Sequence, residues 1–572
     1  MRSSLLLLPL LLIACVIQGN QPAHDAPGEA RSATGMVSAA TPEATEAGLR
    51  VLRNGGNAVD AAVAVGFALA VTYPQAGNLG GGGFMVIRMS DGRTTTIDFR
   101  ERAPAAATRD MFLDSSGNFL PERAQLGALA AGVPGSPAGL LLALERYGSK
   151  PLPEVLQPAI ALADSGFTIH PRLHDDLAEK RDPFLQFPST RAIFLPGDST
   201  LAAGLTFRQP ELAATLRRIA DLGKQGFYGG QTARLIVEQM QRSGGIITAA
   251  DLADYSATER TPLRATYRGY EIITMPPPSS GGVLLVQMLK MMEPQDFRQL
   301  PFHSAPHAHF LAEVMRRAYA DRAEFLGDPD FVEIPVAGLT SQEYAAARAA
   351  NITPRATPSS AVGHGDPKAF QRESQQTTHY SVVDRHGNCV SVTTTLNSAF
   401  GSKLVVGGAG FFLNNEMDDF SARPNTPNQF GLIGRSANAI QPGKRMLSSM
   451  TPTIVLRDGK PWMVVGTPGG STIITTVLQM IHSQIDYGMD LAAAGNAPRI
   501  HHQWLPDTLF HERGAFTAGA ADSLRAMGHR LVERPTVSGR VDAVRIETDS
   551  LAKPLFIGWS DTRGYGLAKG PD

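Results

Sequence analysis

Cysteine is nearly absent from this 572-residue sequence, which contains only Cys15 and Cys389. The surroundings of Cys15 place it in a leader segment, so Cys389 is left without a partner. An intramolecular disulfide is therefore excluded, even in an oxidising compartment. We expect side-chain packing, and not covalent cross-links, to stabilise the fold.

Charged residues are also scarce, at 18% of the chain, compared with about 25% in an average domain. The formal net charge is −1, and no basic run is present. This composition gives no electrostatic reason to expect a nucleic-acid partner.

Long hydrophobic runs are missing too. The apolar stretch at residues 5–17, after Met1 and Arg2, is too short to span a membrane but suits the hydrophobic region of a signal peptide. Residues 61–71 form a second short apolar run, which we interpret as a buried helix. The sequence therefore predicts export and no transmembrane helix.

The end of the apolar leader reads Leu12-Ile13-Ala14-Cys15 and resembles a bacterial lipobox. We expect residues 1–15 to be a signal peptide with Cys15 as the lipidation site. An ordinary signal peptidase site after Gly19 or later is the alternative. Residues 16–35, rich in small and polar residues, are predicted to form a flexible tether.

The body of the chain predicts a mixed α and β architecture. Residues 41–70 have helical spacing interrupted at Asn54-Gly55-Gly56, and residues 283–292, 308–325 and 475–487 are further helical candidates. Residues 451–456 and 462–466 flank Asp458-Gly459, a typical hairpin turn. We expect sheets packed between helices.

The most informative segment begins at Thr377. Residues 352–376 are poor in apolar side chains and predict a loop, whereas 379–384 and 389–395 are β-branched runs that predict a hairpin. A threonine hydroxyl is a poor nucleophile in mid-chain. At a new N-terminus its own α-amino group, with a pKa of about 7.7 to 8.0, can activate it.

The segment 377–401 resembles the nucleophile signature of the gamma-glutamyltranspeptidases. Motifs at 78–84, 98–101, 413–420, 447–450 and 466–470 follow in the family's order. The resemblance implies an α+β N-terminal nucleophile hydrolase fold, a four-layered αββα sandwich built from two fragments of one precursor. It also implies cleavage between Gln376 and Thr377, a large subunit at 36–376 that ends in the pre-cleavage loop 352–376, and a small subunit at 377–572.

The same resemblance implies roles for individual residues around the nucleophile Thr377. Thr395 corresponds to the threonine whose hydroxyl positions the nucleophile. Gly469 and Gly470 correspond to the pair whose backbone N–H groups stabilise the oxyanion. The glycine pair alone would be a weak signal, because a Pro-Gly sequence usually forms only a turn.

A gamma-glutamyl group carries a free carboxylate and a free ammonium, so its pocket needs both signs of charge. Arg100 corresponds to the family's carboxylate-binding arginine, a role that suits a guanidinium fork. The remaining residues that the resemblance assigns to the pocket are Ser448 and Ser449 for the carboxylate, and Asn397, Glu416 and Asp419 for the ammonium.

One position departs from the pattern of many bacterial members. The lid segment, residues 420–446, carries Phe430 where a tyrosine is usual. A phenyl ring can cover the bound acyl group. It cannot donate a hydroxyl hydrogen bond to Asn397, so we expect looser gating.

The resemblance implies a gamma-glutamyltransferase and glutathione hydrolase that acts on glutathione and other gamma-glutamyl compounds. Water, amino acids or peptide amines would accept the acyl group, no cofactor would be needed, and the two subunits would form a heterodimer. The implied location is the periplasm, with anchoring to the outer membrane if Cys15 is lipidated. Two alternatives remain: an acylase for glutaryl groups on β-lactam nuclei, and an exported binding lipoprotein that is never cut at Thr377.

Two other motifs invite misreading. The run Gly80–Gly83 lacks the Gly-Lys-Ser/Thr sequence of a phosphate-binding loop, so we expect close backbone packing there. His303, His307 and His309, with Glu313 one turn later, suggest zinc. We instead expect surface or helix-capping histidines and no metal.

Overall fold

The computed structural model describes residues 26–367, 379–536 and 539–572. Cys15, Gln376 and Thr377 therefore lie outside the described residues. Across the described ranges, every helix is too short or too polar to cross a membrane.

Strands occur throughout the described chain, many of them in short hairpins. In chain order they are β1 (Glu29–Ser32), β2 (Gly35–Ala39), β3 (Gly82–Arg88), β4 (Thr94–Phe99), β5 (Phe167–Thr168), β6 (Thr206–Phe207), β7 (Thr258–Arg260), β8 (Leu263–Tyr267), β9 (Tyr270–Thr274), β10 (Tyr380–Asp384), β11 (Cys389–Thr395), β12 (Thr453–Arg457), β13 (Lys460–Gly466), β14 (Ile500–His501), β15 (Leu509–Glu512), β16 (Leu531–Arg534), β17 (Asp542–Thr548), β18 (Pro554–Ser560) and β19 (Leu567–Lys569).

Helices are concentrated before residue 350. They are α1 (Pro42–Arg53), α2 (Ala58–Thr72), α3 (Pro121–Gln125), α4 (Ser136–Tyr147), α5 (Leu152–Ser165), α6 (Pro171–Glu179), α7 (Arg181–Leu185), α8 (Pro188–Phe194), α9 (Pro210–Leu222), α10 (Gln225–Tyr228), α11 (Gly230–Ser243), α12 (Ala249–Asp254), α13 (Gly281–Met292), α14 (Ala305–Phe325), α15 (Val336–Leu339), α16 (Gln342–Ala349), α17 (Thr472–Tyr487), α18 (Leu491–Asn496) and α19 (Ala518–Met527). Short 3₁₀ turns include Ser359–Ala361 and Glu416–Asp419.

Two seven-stranded antiparallel sheets form the centre of the fold. One has the order β1-β18-β17-β13-β12-β9-β8, and the other β19-β2-β10-β11-β3-β4-β7. Each sheet contains strands that precede residue 368 in the sequence and strands that follow residue 378. In the second sheet, the hairpin β10–β11 lies between β2 and β3, with Ser381 opposite Ser38 and Val392 opposite Met85.

Three apolar cores separate four layers. The inner faces of the two sheets bury a cluster that includes Phe84, Val383 and Ile454. The outer face of the β10-containing sheet packs against helices such as α2, and that of the β13-containing sheet packs against α13, α14 and α17. This is the predicted αββα sandwich, and the prediction is confirmed.

Local signals account for the helices next to the sheets. Thr41 caps α1, and Asn57 forms a capping box with Asp60 at the start of α2. The break predicted at 54–56 separates these two helices. The hairpin turn between β12 and β13 has Asp458 and Gly459 at positive φ, 52° and 73°, as a type I′ turn requires.

The predicted tether is wrong over its described C-terminal part. Residues Glu29–Ser32 form β1, an edge strand that pairs with β18, placing Glu29 opposite Trp559. The Ser32 hydroxyl also donates to the carboxylate of Asp572, at 2.5 Å. The hydrogen bonds to β18 order this segment, although its small and polar residues alone favour a flexible chain.

The run Gly80–Gly83 is packed against backbone, as predicted. A Cβ atom at Gly80 would lie 2.1 Å from the carbonyl oxygen of Phe412, and one at Gly81 would lie 2.0 Å from that of Thr395. Only glycine allows these approaches.

The histidines of α14 are not on the surface, contrary to our expectation. His307 and His309 are buried, and Ser304 is the helix cap. His307 contacts His482 at 3.0 Å between their Nε2 atoms, and His482 pairs with Asp486. Because α14 is buried on nearly all sides, polar and charged residues of this helix are buried as well, and their presence does not indicate an exposed face.

Candidate active site

One solvent-open cavity of about 1140 Å³ brings together every described residue that the sequence predicted for the site. Its lining includes Arg100, Thr395, Asn397, Glu416, Asp419, Phe430, Ser448, Ser449, Gly469 and Gly470. Thr377 and Gln376 lie outside the described residues.

Arg100 follows the last residue of β4 and is completely buried. Its Nη1 atom donates to Glu416, and its Nη2 atom lies 2.6 Å from Oδ2 of Asp419. The Nε atom donates to the carbonyl oxygen of Met446 at 3.1 Å. The predicted carboxylate-binding residue therefore pairs directly with two predicted ammonium-binding residues.

Arg100 and the carboxyl groups around it shift one another's pKa. Burial opposes ionisation of the guanidinium, but Glu416, Glu101 and Asp419 outweigh it and raise the pKa of Arg100. Burial raises the pKa of the Glu416 and Asp419 carboxyls, and it raises that of Glu101 to about 7 despite the opposing effect of Arg100. One guanidinium thus faces three carboxyl groups, an arrangement suited to a ligand that brings its own cation.

The 3₁₀ turn Glu416–Asp419 is held against the glycine run by Asn414. The Asn414 side chain accepts a hydrogen bond from the backbone N–H of Glu416 at 3.0 Å. It donates to the carbonyl oxygens of Gly80 and Gly132, each at 2.8 Å. The close approach that Gly80 permits therefore fixes the carboxylates relative to the central sheet.

Ser448 and Ser449 contribute hydroxyl groups from the segment before β12. The backbone N–H of Ser448 donates to the carbonyl oxygen of Pro278 at 2.9 Å, which fixes its position. The Ser449 hydroxyl accepts a hydrogen bond from Nη2 of Arg322 at 3.1 Å. Arg322 is buried in α14 and adds positive charge behind the two hydroxyls.

Thr395 and Asn397 lie where β11 ends. Asn397 has a φ of 74°, a conformation that asparagine tolerates better than most residues. Its backbone N–H donates to the Thr395 hydroxyl at 2.7 Å, and its Nδ2 donates to the carbonyl oxygen of Asn415 at 2.9 Å. This tight turn aims both side chains into the cavity.

Gly469 and Gly470 lie between β13 and α17, with φ values of 142° and 58°. Among the described residues, neither backbone N–H donates a hydrogen bond. Two adjacent donors at the wall of a polar cavity can stabilise a developing negative charge. A Cβ atom at Gly470 would lie 2.6 Å from the ring of Phe430, so the lid contacts this pair directly.

The lid segment is tied down without a tyrosine hydroxyl. Asn428 donates to Oδ1 of Asp419 at 2.9 Å, and its own Oδ1 accepts the N–H groups of Phe430 and Leu432 at 3.0 and 3.1 Å. Gln503 donates to the carbonyl oxygen of Phe430 at 3.1 Å. The lid is thus attached to the carboxylate predicted to bind the ammonium.

Sequence reasoning missed Glu101, Arg322 and Asn428. Glu101 lies beside Arg100 in the motif at 98–101, so the sequence already showed a negative charge next to the predicted carboxylate-binding arginine. Arg322 and Asn428 reach the site from a helix and a loop distant in sequence, and no local pattern marks them.

His309, Glu313 and His529 cluster closely enough to suggest a metal site. Their atoms are already used: Nδ1 of His309 lies 2.8 Å from Nε2 of His529, and Nε2 of His309 lies 2.7 Å from the carbonyl oxygen of Thr353. Glu313 pairs with Arg316 and Arg317. The arrangement fits a hydrogen-bonded network better than a metal site.

Two facing antiparallel sheets between helical layers, with a polar cavity beside the hairpin β10–β11, are the architecture of an N-terminal nucleophile hydrolase. A sequence model of the gamma-glutamyltranspeptidase family matches residues 44–570. The chain belongs to that family.

Individual relatives agree with this assignment. The glutathione hydrolase proenzyme of Escherichia coli (strain K12) is 51% identical over 521 residues, which cover 91% of this chain and 89% of the relative. The Helicobacter pylori gamma-glutamyltranspeptidase structure is 47% identical with a TM-score of 0.58, covering 58% of this chain and 96% of its own. A cephalosporin acylase structure from Bacillus halodurans is 26% identical with a TM-score of 0.85, covering 96% and 98%.

We predict that Asn428→Ala frees the lid segment. The substitution removes the bonds to Asp419, Phe430 and Leu432, and losing about 1.5 kcal/mol of local stability accelerates amide exchange roughly tenfold. Hydrogen exchange at Phe430 and Leu432, followed by mass spectrometry, measures the effect. Thr426→Ala, in the same segment, is the control. Equal exchange in both variants would mean that packing of Phe430 alone holds the lid.

Proposed function

We propose that this chain is a self-processing gamma-glutamyltransferase and glutathione hydrolase. The observation that carries the proposal is the convergence of all ten described candidate residues on one cavity. These residues come from the end of β11, from the 3₁₀ turn and from four other segments far apart in sequence. Family membership and the identity to a glutathione hydrolase proenzyme support the same activity.

The precursor is cut between Gln376 and Thr377, which makes a large subunit of 36–376 and a small subunit of 377–572. Thr377 precedes His379 by two residues, and consecutive Cα atoms are about 3.8 Å apart. His379 lines a cavity that shares a wall with the candidate site. His379, the first described residue after the proposed cleavage site, therefore borders the space next to the candidate site.

The gamma-glutamyl group binds through its charged end. Arg100 binds the α-carboxylate, assisted by the hydroxyls of Ser448 and Ser449. The ammonium displaces the guanidinium from Asp419 and Glu416 and gains the side chain of Asn397. Both charges of the ligand then meet opposite charges on side chains that are almost fully buried, where such pairs are strong.

The reaction passes the acyl group through Thr377. The hydroxyl of Thr377, activated by its own amino group, attacks the amide carbonyl while Gly469 and Gly470 stabilise the oxyanion. The C–N bond breaks, the amine leaves with the proton, and an ester remains. Water or an acceptor amine then forms a new bond to the acyl carbon, the C–O bond to Thr377 breaks, and the threonine oxygen regains a proton.

Replacing the nucleophile tests self-processing. We expect purified Thr377→Ala to remain a single uncut chain without activity, whereas wild-type protein gives a fragment that begins at Thr377. Thr378→Ala, the neighbouring residue, is the control and should still be cut. Mass spectrometry of the intact subunits reads the result. Efficient cleavage of the alanine variant in a protease-free preparation contradicts self-processing, and an uncut wild type favours the binding lipoprotein.

Substrate selectivity separates the transferase from the acylase that the Bacillus halodurans structure suggests. A glutaryl group lacks the ammonium and leaves Asp419 unpaired in a buried site. We expect wild type to prefer gamma-glutamyl anilides over glutaryl anilides by roughly 30-fold or more, equivalent to about 2 kcal/mol. Asp419→Ala should lose that preference, whereas Arg100→Ala should impair both substrates.

The measurement is the ratio of kcat/KM values for the two anilides in wild type and in each variant. A wild type that handles both acyl groups equally, with Asp419→Ala indifferent between them, would support the acylase instead.

The chain is exported to the periplasm and anchored to the outer membrane through lipid on Cys15. The motif Leu12-Ile13-Ala14-Cys15 supports this proposal. We expect Cys15→Ser to change the mass of the exported protein through loss of the lipid and to move activity into the soluble fraction, because stable anchoring requires the acyl chains. Unchanged mass and fractionation would mean that Cys15 leaves with the signal peptide.

A further inference from the structure

The side chain of Gln503 lies between the lid segment and the oxyanion pair. Gln503 is buried, two residues after the end of β14. Its Nε2 atom donates to the carbonyl oxygens of Phe430 and Leu505, at 3.1 and 3.2 Å. Its Oε1 atom accepts from the Ser471 hydroxyl at 2.7 Å and lies 2.9 Å from Nε2 of His501. The amide therefore uses both of its donors and both lone pairs of its oxygen.

The ring of His501 donates to this amide. Because the Oε1 atom of Gln503 can only accept, the ring proton of His501 is on Nε2. Its Nδ1 atom then accepts from the Thr475 hydroxyl, at 2.9 Å. Burial lowers the pKa of His501 to about 3. The ring is therefore neutral at neutral pH, and it holds the Gln503 oxygen in place.

On one side, Gln503 holds the residue that follows the oxyanion pair. Ser471 comes directly after Gly470 and directly before the first residue of α17. Its hydroxyl donates to Gln503, and its carbonyl oxygen accepts from the hydroxyl of Tyr319. Ser471 is thus held through its side chain and through its backbone.

On the other side, Gln503 holds the backbone of the lid segment. The N–H of Phe430 donates to Asn428 at 3.0 Å, and the side chain of Asn428 donates to Oδ1 of Asp419 at 2.9 Å. The hydrogen bonds form a continuous series that contains, in order, Asp419, Asn428, Phe430, Gln503 and Ser471. This series connects the residue predicted to bind the substrate ammonium with the segment of the oxyanion pair.

The direction of the oxyanion donors depends on their neighbours. A donor nitrogen is effective when it lies about 2.7 to 3.1 Å from the oxyanion, and a misplacement of about 1 Å can lower a rate about 100-fold. Gly469 and Gly470 both have positive φ and no side chain that could pack against the wall. Adjoining residues must therefore orient their N–H groups, and Ser471 is the adjoining residue that Gln503 holds.

We propose that Gln503 is a positioning residue that couples the lid segment to the oxyanion pair. With the lid segment in place, Gln503 bonds to Phe430 and keeps Ser471 aligned. When the lid segment moves away, the amide loses a partner and this alignment relaxes. A substrate ammonium on Asp419 stabilises the same series of hydrogen bonds. The inference rests on the proposed function and adds a residue that links recognition of the charged end to catalysis.

The first experiment changes the oxyanion side and observes the lid segment. Ser471→Ala removes the hydroxyl that orients Gln503 and leaves the sequence of the lid segment unchanged. We expect amide exchange at Phe430 and Leu432, followed by mass spectrometry, to accelerate roughly fivefold, the effect of one hydrogen bond. Ser483→Ala, which removes a buried hydroxyl from α17 that donates to Gln479, is the control. Equal exchange in the two variants would overturn the coupling.

The second experiment measures hydrolysis of gamma-glutamyl-p-nitroanilide. Gln503→Met keeps a side chain of similar length without the amide. We expect about tenfold lower kcat and a smaller change in KM, because the oxyanion forms only after the substrate has bound. A change confined to KM would mean that Gln503 serves binding alone, and it would overturn the proposal.

A double-mutant cycle tests the coupling directly. Asn428→Ala breaks the series on the lid side, and Ser471→Ala breaks it on the oxyanion side. We expect the factor by which Asn428→Ala lowers kcat to be at least about threefold smaller in the Ser471→Ala background, beyond the roughly twofold scatter of independent sites. Factors that simply multiply would show that the two sides act independently, which overturns the coupling.

These experiments separate the coupling from the proposed function. The exchange experiment needs no substrate, so it decides the coupling even when Gln503→Met is unstable. A wild type without gamma-glutamyl turnover would refute the proposed function. A wild type with turnover, in which Ser471→Ala and its control exchange alike, would refute the coupling alone.

Discussion

The charge of Arg100 is the constraint on which the site depends. A completely buried guanidinium is tolerated only when it is paired, and removing one partner of a buried ion pair typically costs about 3 to 5 kcal/mol. Glu416 and Asp419 supply those partners. A zwitterionic acyl group can replace both of these contacts, because its carboxylate pairs with Arg100 and its ammonium pairs with the carboxylates. An acyl group with a single negative charge would satisfy Arg100 but would leave the carboxylates facing each other.

This charge cluster also connects distant parts of the chain. Arg100 directly follows β4, in the part of the chain before residue 368. Its partners Glu416 and Asp419 lie in a 3₁₀ turn after residue 379. Asn414 ties that turn to Gly80, and the approach is possible because glycine has no side chain. The glycine run therefore acts on the site through geometry, although none of its members lines the cavity.

Local sequence signals predicted much of the fold. The helix break at residues 54–56 and the Asp458-Gly459 turn depend on neighbouring residues only, and the structure has a helix boundary and a hairpin at those places. The strand β1 was missed because its partner β18 is more than 500 residues away. The roles in the pocket came from family resemblance. The sequence did not indicate that Arg100 would pair with Asp419, or that Arg322 would reach Ser449, because these contacts exist only after two layers pack.

The interleaving of strands has a consequence for the life of the protein after cleavage. With β10 and β11 lying between β2 and β3, a cut before Thr377 leaves two polypeptides that share both sheets and both outer cores. They cannot part without losing the hydrophobic interior of each. Folding of the precursor is a unimolecular event, but recovery of the cut form would require two incomplete chains to meet. Once the chain is cut, unfolding therefore becomes effectively irreversible. The stability of the mature protein is then set by its unfolding rate.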